Sequence, residues 1–576
     1  MKKLLKYLQG TAIFWAIVAP IAMFVEVSMD LTQPKLMADI IDIGVAKGDL
    51  SYVLAVGGKM LLVALIGLIG GSACSIFASM AAMSMGEKVR QGLFDKIQSL
   101  SFFEIDKFKT SSLITRLTND VTQIQNMMLM ALRIMVRSPL MCIGGIVMSI
   151  ALSPKLSFIF FIAVPIVVAS VLVIVKKSFP LFLEVQQKID KVNIVMRENI
   201  LGVRVIKAFN MEGKQGEKFD EANYDLMDRS IKAQNMNIIL WPIVTLVMNV
   251  SVIAVLWFGG NLVFKKSMEI GKIMAFINYL IQIMNSLMMV IMGVLNFSRA
   301  SASADRINEV LETPSSISEK VDAVEINNFD IEFSNVSFKY NVHSEYVLKN
   351  INFKVLQGEK VGIIGATGAG KSSLISLIPR LYDVTEGQVS IGGVNVKNLK
   401  LKDIRDKIGV VLQESTLFSG TIEENLKFGN EAADIEVMDS VSKDAQAYEF
   451  ITSKEDGYDS LVEQRGKNLS GGQKQRLSIA RTLMKNPKIL IMDDSSSALD
   501  MTTEAKLQVA INKRMKDCTV LIIAQRISAV MDLDKIIVLD NGRISAMGKH
   551  KELLKSSEIY RSIAISQLGE EVLSNV

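Results

Sequence analysis

The sequence has few of the residues that support several common kinds of site. It contains two histidines, His343 and His550, in 576 residues, so neither a histidine-based zinc site nor a Ser-His-Asp triad is expected. Its three cysteines are far apart, so neither a disulfide framework nor a cysteine-rich metal site is indicated. The formal net charge of +5 is small for this length, and we expect no nucleic-acid partner.

Apolar residues, in contrast, are abundant. Half of the chain is hydrophobic and the mean hydropathy is +0.33, which is too apolar for a wholly soluble protein. A membrane helix needs about 20 consecutive apolar residues. We predict six spans, at residues 11–29, 53–83, 138–153 with the helix before it, 157–176, 237–263 and 273–297.

The distribution of lysine and arginine predicts the orientation of these spans. Lysines precede the first span, and segments 84–126 and 177–236 are rich in both residues, whereas the other connections carry few. Both termini are therefore predicted to be cytoplasmic. The two long segments keep a helical pattern, so their helices should extend beyond the membrane. Within them, residues 108–121 are predicted to make the first contact with a soluble domain.

Three charged residues lie in or near the spans. Glu26 falls within the first span, where an ionised side chain facing lipid would cost roughly 2.5–3.5 kcal/mol. We expect it to face a cavity or a partner, either to contact a cationic substrate or in a structural or headgroup-level role. Arg133 and Arg137 are predicted to lie on the cytoplasmic extension of the third span.

The character of the sequence changes after the sixth span. Pro314 and a polar run are typical of a linker, and short β-rich segments then alternate with helical ones. We therefore predict a membrane domain at 1–312 with long cytoplasmic helical loops, a linker at 313–330 and an α/β domain at 331–576.

The α/β domain contains a phosphate-binding pattern. The strand "KVGIIG" leads into "GATGAGKSS", and a helix follows. Glycines let backbone N–H groups approach phosphates, the helix N-terminus favours anions, the lysine reaches the β- and γ-phosphates, and the first serine binds Mg²⁺. The nucleotide-binding residues predicted here are Gly365, Gly368, Gly370, Lys371, Ser372 and Ser373.

A second motif supports the first. The apolar strand "KILIMDD" ends in Asp493, which is placed to hold Mg²⁺. A third motif, "LSGGQKQR" at residues 469–476, has a serine and paired glycines that suit the presentation of N–H groups and a hydroxyl to a phosphate.

With these motifs, the chain resembles the ATP-binding cassette (ABC) family along its whole length. Six spans followed by one nucleotide domain are similar to an exporter-type half-transporter, and "ENILGVRVIKAF" resembles the second cytoplasmic loop of that group. The resemblance implies a polytopic α-helical membrane domain of the type I ABC exporter kind, fused to an α/β P-loop NTPase domain that uses ATP and Mg²⁺. It also implies a dimer in which each ATP lies between one chain's phosphate loop and the other chain's signature, Ser470, Gly471, Gly472 and Gln473.

The resemblance assigns further roles. Tyr340 matches the aromatic residue that stacks on adenine, although a core tyrosine at a strand end is the alternative. Gln413 matches the glutamine that contacts Mg²⁺, so that Ser372, Gln413 and Asp493 form the predicted metal set. Asp500 matches the acid that communicates across the dimer.

Two catalytic positions depart from the family pattern. Asp494 stands where the general-base glutamate is expected, and Gln525 stands where the switch histidine is expected; neither histidine of the chain can substitute. An aspartate carboxylate is held back by one methylene, and a misplacement of about 1 Å can cost on the order of a hundredfold in rate. Glutamine cannot become an imidazolium. We therefore expect a site that binds ATP well and hydrolyses it poorly, the alternative being tolerated drift in a working site.

The function predicted from these features is that of the degenerate-site subunit of a bacterial heterodimeric multidrug exporter. A homologous half-transporter would supply the missing glutamate and histidine, and the intact LSGGQ of this chain would complete that partner's site. Hydrophobic small molecules are the predicted substrates, because 32 methionines suit an adaptable apolar cavity. The predicted location is the plasma (inner) membrane, as a multi-pass protein with its nucleotide domain in the cytoplasm.

Two alternatives stay open. The chain could form a homodimeric lipid or peptide exporter with slow ATPase activity, which needs no partner. It could also be a non-transporting regulator or channel that is gated by ATP.

Overall fold

The computed structural model describes residues 2–341, 344–495 and 498–569, apart from the side chains of residues 2, 291–296 and 298. His343 lies outside the described residues. The chain divides into two compact units. The first comprises Met1–Gln98 and Thr110–Thr313, and the second comprises Ser99–Lys109 and Pro314–Val576.

The first unit is helical, as lipid requires, because a helix satisfies its own backbone polar groups. In the described part of the chain, six helical segments are long and apolar enough to cross a membrane, which confirms the predicted number of spans and the fold class. The segments are Thr11–Val45, Leu50–Ser99, Thr110–Leu152, Pro154–Leu201, Glu212–Phe264 and Ile270–Val290.

Several of these helices are much longer than a bilayer. At 1.5 Å per residue, the 50 residues of the second helix span about 75 Å, against roughly 30 Å for the hydrocarbon core. Two π-helical stretches, Ile40–Val45 and Arg116–Asp120, interrupt the α-helices. The α-helices before residue 313 are α1 (Thr11–Asp39), α2 (Leu50–Ser99), α3 (Phe102–Phe108), α4 (Thr110–Thr115), α5 (Val121–Leu132), α6 (Ile134–Leu152), α7 (Pro154–Leu201), α8 (Val203–Ala208), α9 (Glu212–Ile238), α10 (Leu240–Phe264) and α11 (Ile270–Glu312).

The inner and outer faces of these helices differ in residue size. Cys74, Ala78 and Ala81 of α2 are fully buried, and small residues of this kind let membrane helices approach closely. Large apolar residues such as Phe161 and Trp257 point outwards with 71% of their surface exposed, as a lipid-facing surface requires.

Three charged residues of the membrane unit form a cluster. Arg137 donates hydrogen bonds to Glu26 (2.5 Å) and to Asp30 (2.8 Å), and all three line a cavity. Glu26 thus faces a cavity, as predicted. Arg137 lies beside this acid in the fold, and its place on a cytoplasmic extension of the third span stays a prediction. The sequence pattern around Arg137 gives no information about a partner more than 100 residues away.

The second unit is an α/β domain that also includes α3. Its strands are β1 (Ile331–Phe338), β2 (Leu348–Val355), β3 (Lys360–Ile364), β4 (Glu386–Ile391), β5 (Val394–Asn395), β6 (Ile408–Val411), β7 (Gly420–Thr421), β8 (Leu461–Val462), β9 (Ile489–Asp493), β10 (Thr519–Ile523), β11 (Lys535–Asp540) and β12 (Arg543–Gly548). Its other helices are α12 (Lys371–Ser376), α13 (Leu401–Lys407), α14 (Ile422–Lys427), α15 (Ile435–Asp444), α16 (Tyr448–Thr452), α17 (Gly471–Met484), α18 (Met501–Arg514), α19 (His550–Ser556) and α20 (Glu558–Leu568).

The sheet order explains where the motifs meet. Six strands lie in the order β12-β11-β3-β10-β9-β6, and all neighbours are parallel except β11 and β12. Every residue of β9 and β10 is buried, as expected for parallel strands covered on both faces. Because β3, β9 and β10 run parallel, their carboxyl ends lie at the same edge, which is where such sheets bind ligands. A second sheet is antiparallel, with its strands in the order β2-β1-β4-β5. Its strand β1 ends at Phe338, two residues before Tyr340.

The segment Ser99–Lys109 leaves the membrane unit and packs within the second unit. Ser101 begins α3 with a capping box, in which the Glu104 carboxylate accepts from the Ser101 N–H at 3.0 Å, and the other Glu104 oxygen accepts from the Ser316 N–H at 3.1 Å. Residues 108 and 109 of the stretch 108–121 belong to the second unit and the others to the first, and the first contact at this stretch stays a prediction.

Candidate nucleotide site

The predicted phosphate-binding and metal-binding residues come together at one edge of the parallel sheet. They line a pocket of about 310 Å³ at the carboxyl ends of β3, β6, β9 and β10. Gly365, the first residue of the phosphate loop, borders the adjoining pocket instead. The described residues that line the first pocket are Val347, Thr367, Gly368, Gly370, Lys371, Ser372, Ser373, Gln413, Asp493, Asp494, Ile523 and Gln525.

The phosphate loop owes its shape to its glycines. Gly368 and Gly370 have φ of +85° and +97°, which residues with a Cβ rarely adopt, and a Cβ at Gly365 would lie 2.1 Å from the Leu539 carbonyl oxygen. The Lys371 ammonium donates to the Gly365 and Ala366 carbonyls at 2.8 and 2.9 Å. Burial lowers the pKa of Lys371, while the neighbouring acids act in the opposite direction. The lysine is thus held over the loop that it serves.

The predicted metal ligands fit Mg²⁺ chemically. The Ser372 hydroxyl donates to the Asp493 carboxylate at 3.1 Å, and Gln413 lines the same pocket after β6. Burial raises the pKa of Asp493, and the hydrogen bond from Ser372 partly offsets that rise. Hydroxyl, carboxylate and amide oxygens are the ligand types that Mg²⁺ takes in phosphate sites. The three side chains therefore form a donor set that suits a magnesium nucleotide.

The two unusual residues contact each other directly. The Gln525 amide nitrogen donates a hydrogen bond of 2.6 Å to the Asp494 carboxylate. Asp494 has φ of +45°, a region that aspartate tolerates better than most residues, and its N–H donates to the Ile523 carbonyl at 3.0 Å. Burial raises the pKa of Asp494, against the lowering effects of Gln525 and Lys371. Parallel pairing of β9 with β10 brings these positions together across 31 residues of sequence.

Gln567, which the sequence analysis missed, holds the segment that carries Gln525. From α20, its amide nitrogen donates to the Gln525 carbonyl at 2.7 Å, and its amide oxygen accepts from the Ile527 N–H at 2.8 Å. No motif surrounds Gln567 in the sequence, so only the packing of α20 reveals this role.

Gln475 is a second residue that was missed. It lies in "LSGGQKQR", and its amide nitrogen donates to the Asp494 carbonyl at 3.3 Å while its oxygen accepts from the Ala498 N–H at 3.2 Å. Its position in the signature motif, two residues after Gln473, was the signal by which the sequence analysis could have found it. Gln475 ties the signature helix to the segment after β9.

The residues assigned to the dimer contact act locally as helix caps. Ser470 caps α17, with its hydroxyl accepting from the Gln473 N–H at 3.3 Å. Asp500 caps α18 by accepting from the Thr503 N–H at 3.0 Å, and hydrogen bonds from the Thr503 hydroxyl and then from its N–H lower the pKa of Asp500. Within the described residues, Ser470, Gly471, Gly472 and Gln473 do not line the phosphate pocket of their own chain.

Aromatic residues connect the phosphate loop to α3. The Tyr340 and Ser373 hydroxyl oxygens are 2.8 Å apart, and the Tyr340 ring packs edge-on against Tyr382, with ring centroids 5.3 Å apart. The Tyr382 hydroxyl donates to Asp106 of α3 at 2.6 Å, and burial raises the pKa of Tyr382. The predicted adenine-stacking position is therefore linked to α3 through Tyr382. His550 instead contacts Tyr560, 2.7 Å away.

The six helices that can cross a membrane define a polytopic membrane protein. The domain fused to them is a P-loop nucleotide-binding domain, because its phosphate loop and the acidic end of β9 line one pocket. Comparison with known proteins gives its family. Residues 16–287 match the ABC transporter transmembrane region and residues 348–497 match the ABC transporter nucleotide-binding family. The chain belongs to the ABC transporters.

The most informative relatives cover nearly all of the chain or suggest a substrate. The uncharacterized ABC transporter ATP-binding protein YfiB of Bacillus subtilis is 41% identical over 99% of both chains. YgaD of the same organism, named as a proposed multidrug export ATP-binding/permease protein, is 34% identical over 84% of both. The ATP-dependent lipid A-core flippase of Syntrophus aciditrophicus is 31% identical over 89% of this chain and 87% of its own.

A solved structure of a bacterial Atm1-family ABC exporter with ATP bound superimposes with a TM-score of 0.81 at 25% identity, covering 98% of this chain and all of that one. The chain is thus an exporter-type half-transporter in a family of ATP-hydrolysing transporters.

Proposed function

We propose that this chain is one half of a heterodimeric exporter, in which its own phosphate loop forms a degenerate ATP site. The partner would be a homologous half-transporter that carries the general-base glutamate and the switch histidine. The observation that carries the proposal is the 2.6 Å hydrogen bond between Gln525 and Asp494. It joins the only two catalytic positions that we found to depart from the family pattern.

The bond supports slow chemistry for two reasons. A general base must reach the attacking water, and here a short carboxylate is already engaged by an amide donor. The amide is neutral, so it brings no positive charge to the γ-phosphate in the transition state. Both changes affect the cleavage step rather than nucleotide binding.

Nucleotide binding, in contrast, retains its full set of residues. Lys371 and the loop N–H groups would hold the β- and γ-phosphates, and Tyr340 would stack on the adenine. Ser372, Gln413 and Asp493 would hold Mg²⁺, which when bound neutralises charge on the phosphates. The chain is therefore suited to retain ATP over many cycles of the partner site.

The intact signature supports the need for a second chain. Ser470 and its glycines do not reach the phosphate pocket of their own chain within the described residues, so they are available to complete a site on another. With a partner that supplies glutamate and histidine, that second site would be fully equipped for hydrolysis.

The proposed substrates are hydrophobic or amphiphilic compounds. The names of two relatives point in this direction, one to multidrug export and one to a lipid flippase. The lysine and arginine bias supports a cytoplasmic position of both termini and the nucleotide domain. The similarity to bacterial relatives supports a location in the plasma membrane.

Native mass spectrometry of the complex, gently purified from its own membrane, tests the proposal. We expect a second polypeptide of similar size at one-to-one stoichiometry. Replacing the partner's catalytic glutamate by glutamine should then remove nearly all ATP hydrolysis. Two identical chains with brisk turnover would overturn the proposal. ATP-dependent conductance without turnover would instead favour a channel.

A further inference from the structure

The membrane unit contains a cavity of about 1060 Å³, large enough for a drug-sized or lipid-like molecule. Most of its wall is apolar, with Trp241, Met130 and Met288 among the lining residues. Methionine side chains are flexible and polarizable, so a wall of this kind accommodates hydrocarbon of varied shape. The cavity also contains four charged side chains, Glu26, Asp30, Arg133 and Arg137, which set its specificity.

The two carboxylates in the cavity already form ion pairs with an arginine of the protein. Arg137 donates to Glu26 at 2.5 Å and to Asp30 at 2.8 Å, and only 13% of the Glu26 side chain is exposed. The adjacent helix makes room for this pair, because a Cβ at Gly71 would lie 2.8 Å from the Glu26 carboxyl carbon. A cationic ligand would have to displace a guanidinium that both acids share.

Arg133 differs from Arg137, although it is one helical turn away. It lies at the break between α5 and α6, with φ of −106° and ψ of −74°. Among the residues that the structure describes, no acceptor or acid lies within bonding distance of its guanidinium. An arginine carries five N–H donors and stays charged at any relevant pH, so an unpaired one in an apolar cavity favours an anion.

We propose that this cavity binds an amphiphilic anion, with its phosphate or carboxylate headgroup on Arg133 and its alkyl chain along the apolar wall. The four charged side chains sum to zero, so net charge favours neither sign of ligand. The unpaired donors of Arg133 decide the preference. This inference rests on the proposed export function, since it names the substrate class for the membrane half of the same transporter.

Photolabelling without nucleotide tests the proposal separately from ATP turnover. The intact complex, in nanodiscs of phosphatidylcholine, is photolysed with a palmitic acid that carries a diazirine in its chain. A trimethylammonium compound with the same chain is the cationic counterpart. We expect the anionic probe to label peptides that contain Met130 or Met288, and unlabelled dodecyl phosphate to compete. Stronger cavity labelling by the cationic probe would overturn the proposal.

Two substitutions sharpen the test. Arg133→Gln removes the charge and should lower labelling by the anionic probe about tenfold, because a hydrogen bond to a charged group is lost. Arg133→Lys keeps the charge and should retain most labelling. Lys59→Gln, which removes a positive charge of α2 that does not line the cavity, is the matched control and should have no effect. Equal labelling of the Arg133→Gln and unsubstituted complexes would contradict the assignment.

If Arg133→Gln prevents assembly, competition in the unsubstituted complex still decides the question. Dodecyl phosphate should displace the anionic probe at lower concentration than dodecyltrimethylammonium does, and the reverse order would refute the proposal. Adding phosphatidylglycerol to the nanodiscs then identifies the source of the anion. Displacement of the probe indicates a membrane phospholipid, and retention indicates a single-chain amphiphile. Loss of ATP hydrolysis by the complex would leave every one of these binding results intact.

Discussion

Each half of the molecule brings two carboxylates together, and the two pairs are built differently. In the nucleotide domain, Asp493 and Asp494 are adjacent in sequence, and their partners are a hydroxyl and a neutral amide. In the membrane unit, Glu26 and Asp30 lie one turn apart on α1 and share the guanidinium of Arg137. Asp493, of the first pair, belongs to the predicted Mg²⁺ set and has a hydroxyl as its hydrogen-bond partner. The second pair is neutralised within the protein, which leaves the neighbouring Arg133 to receive a ligand.

The difference shows how charge in a site reflects its task. A site for a magnesium nucleotide needs acids that are not already paired with arginine, because the metal ion must compete for them. A cavity in a membrane must balance its fixed charges, because an unbalanced charge in an apolar setting is costly. Four variants, taken from the largest expected effect to the smallest, can break or sharpen this contrast.

Lys371→Ala should have the largest effect. It removes the ammonium that is held over the phosphate loop, and loss of one partner of a desolvated charged contact costs roughly 2–5 kcal/mol. We expect azido-ATP photolabelling of this chain to fall by at least about thirtyfold, measured after the two chains of the complex are separated. Asp494→Asn, which leaves Lys371 in place, should change labelling by less than about threefold. Comparable losses in both variants would show that binding and cleavage are not separable here.

The double substitution Asp494→Glu with Gln525→His should raise ATP hydrolysis at this chain's own nucleotide site, which we expect to be slow. The longer acid reaches the attacking water, and histidine can carry positive charge to the γ-phosphate. We expect single-turnover hydrolysis at this site to rise by about 10- to 100-fold, measured in complexes whose partner site is inactivated. Each single substitution serves as a control and should give less than the pair. If the unsubstituted chain already hydrolyses ATP at this site as fast as the double variant, the proposal of a degenerate site is contradicted.

Arg137→Gln should destabilise the membrane unit. Removing one partner of a buried ion pair costs roughly 3–5 kcal/mol, and because 38% of the Arg137 side chain is exposed we expect about 2 kcal/mol. The measurement is thermal unfolding of the detergent-solubilised complex. Glu26→Gln combined with Arg137→Gln should recover part of the loss, since the more deeply buried of the two acids that Arg137 pairs is then neutral and only Asp30 is left without the guanidinium. A double variant that is less stable than Arg137→Gln alone would argue against the pairing.

Gln567→Ala should have the smallest effect, because it removes two ordinary hydrogen bonds at the surface. A net loss of about 1 kcal/mol would speed amide exchange at Ile527 roughly fivefold. Hydrogen exchange with mass spectrometry measures this directly. Ser562→Ala, on the same helix, loses only a bond within α20 and provides the control. Unchanged exchange at Ile527 would show that α20 does not hold this segment.

Much of the fold was predictable because its signals are local. A membrane span requires a continuous apolar run, so six runs gave six spans. The phosphate loop requires glycines, a lysine and a serine at fixed spacing between a strand and a helix, and β3 and α12 flank it in that way. The sequence analysis did not identify α3, although the Ser101 capping box was present in the sequence.

Other features depended on packing between distant segments. The substitutions at Asp494 and Gln525 could be read individually, but their contact exists because β9 and β10 are neighbours in the sheet. Gln567 has no motif of its own and acts only because α20 lies against the segment after β10.

The sequence by itself determined the six spans, the nucleotide motifs and the two positions that depart from them, because each depends on residue types at short, fixed spacing. The tertiary structure alone decided which charges are neutralised and which are left for a ligand. Arg133 and Arg137 look equivalent on one helix, four residues apart. Only the packing of α1 against the third span gives acids to one guanidinium and leaves the other in the cavity.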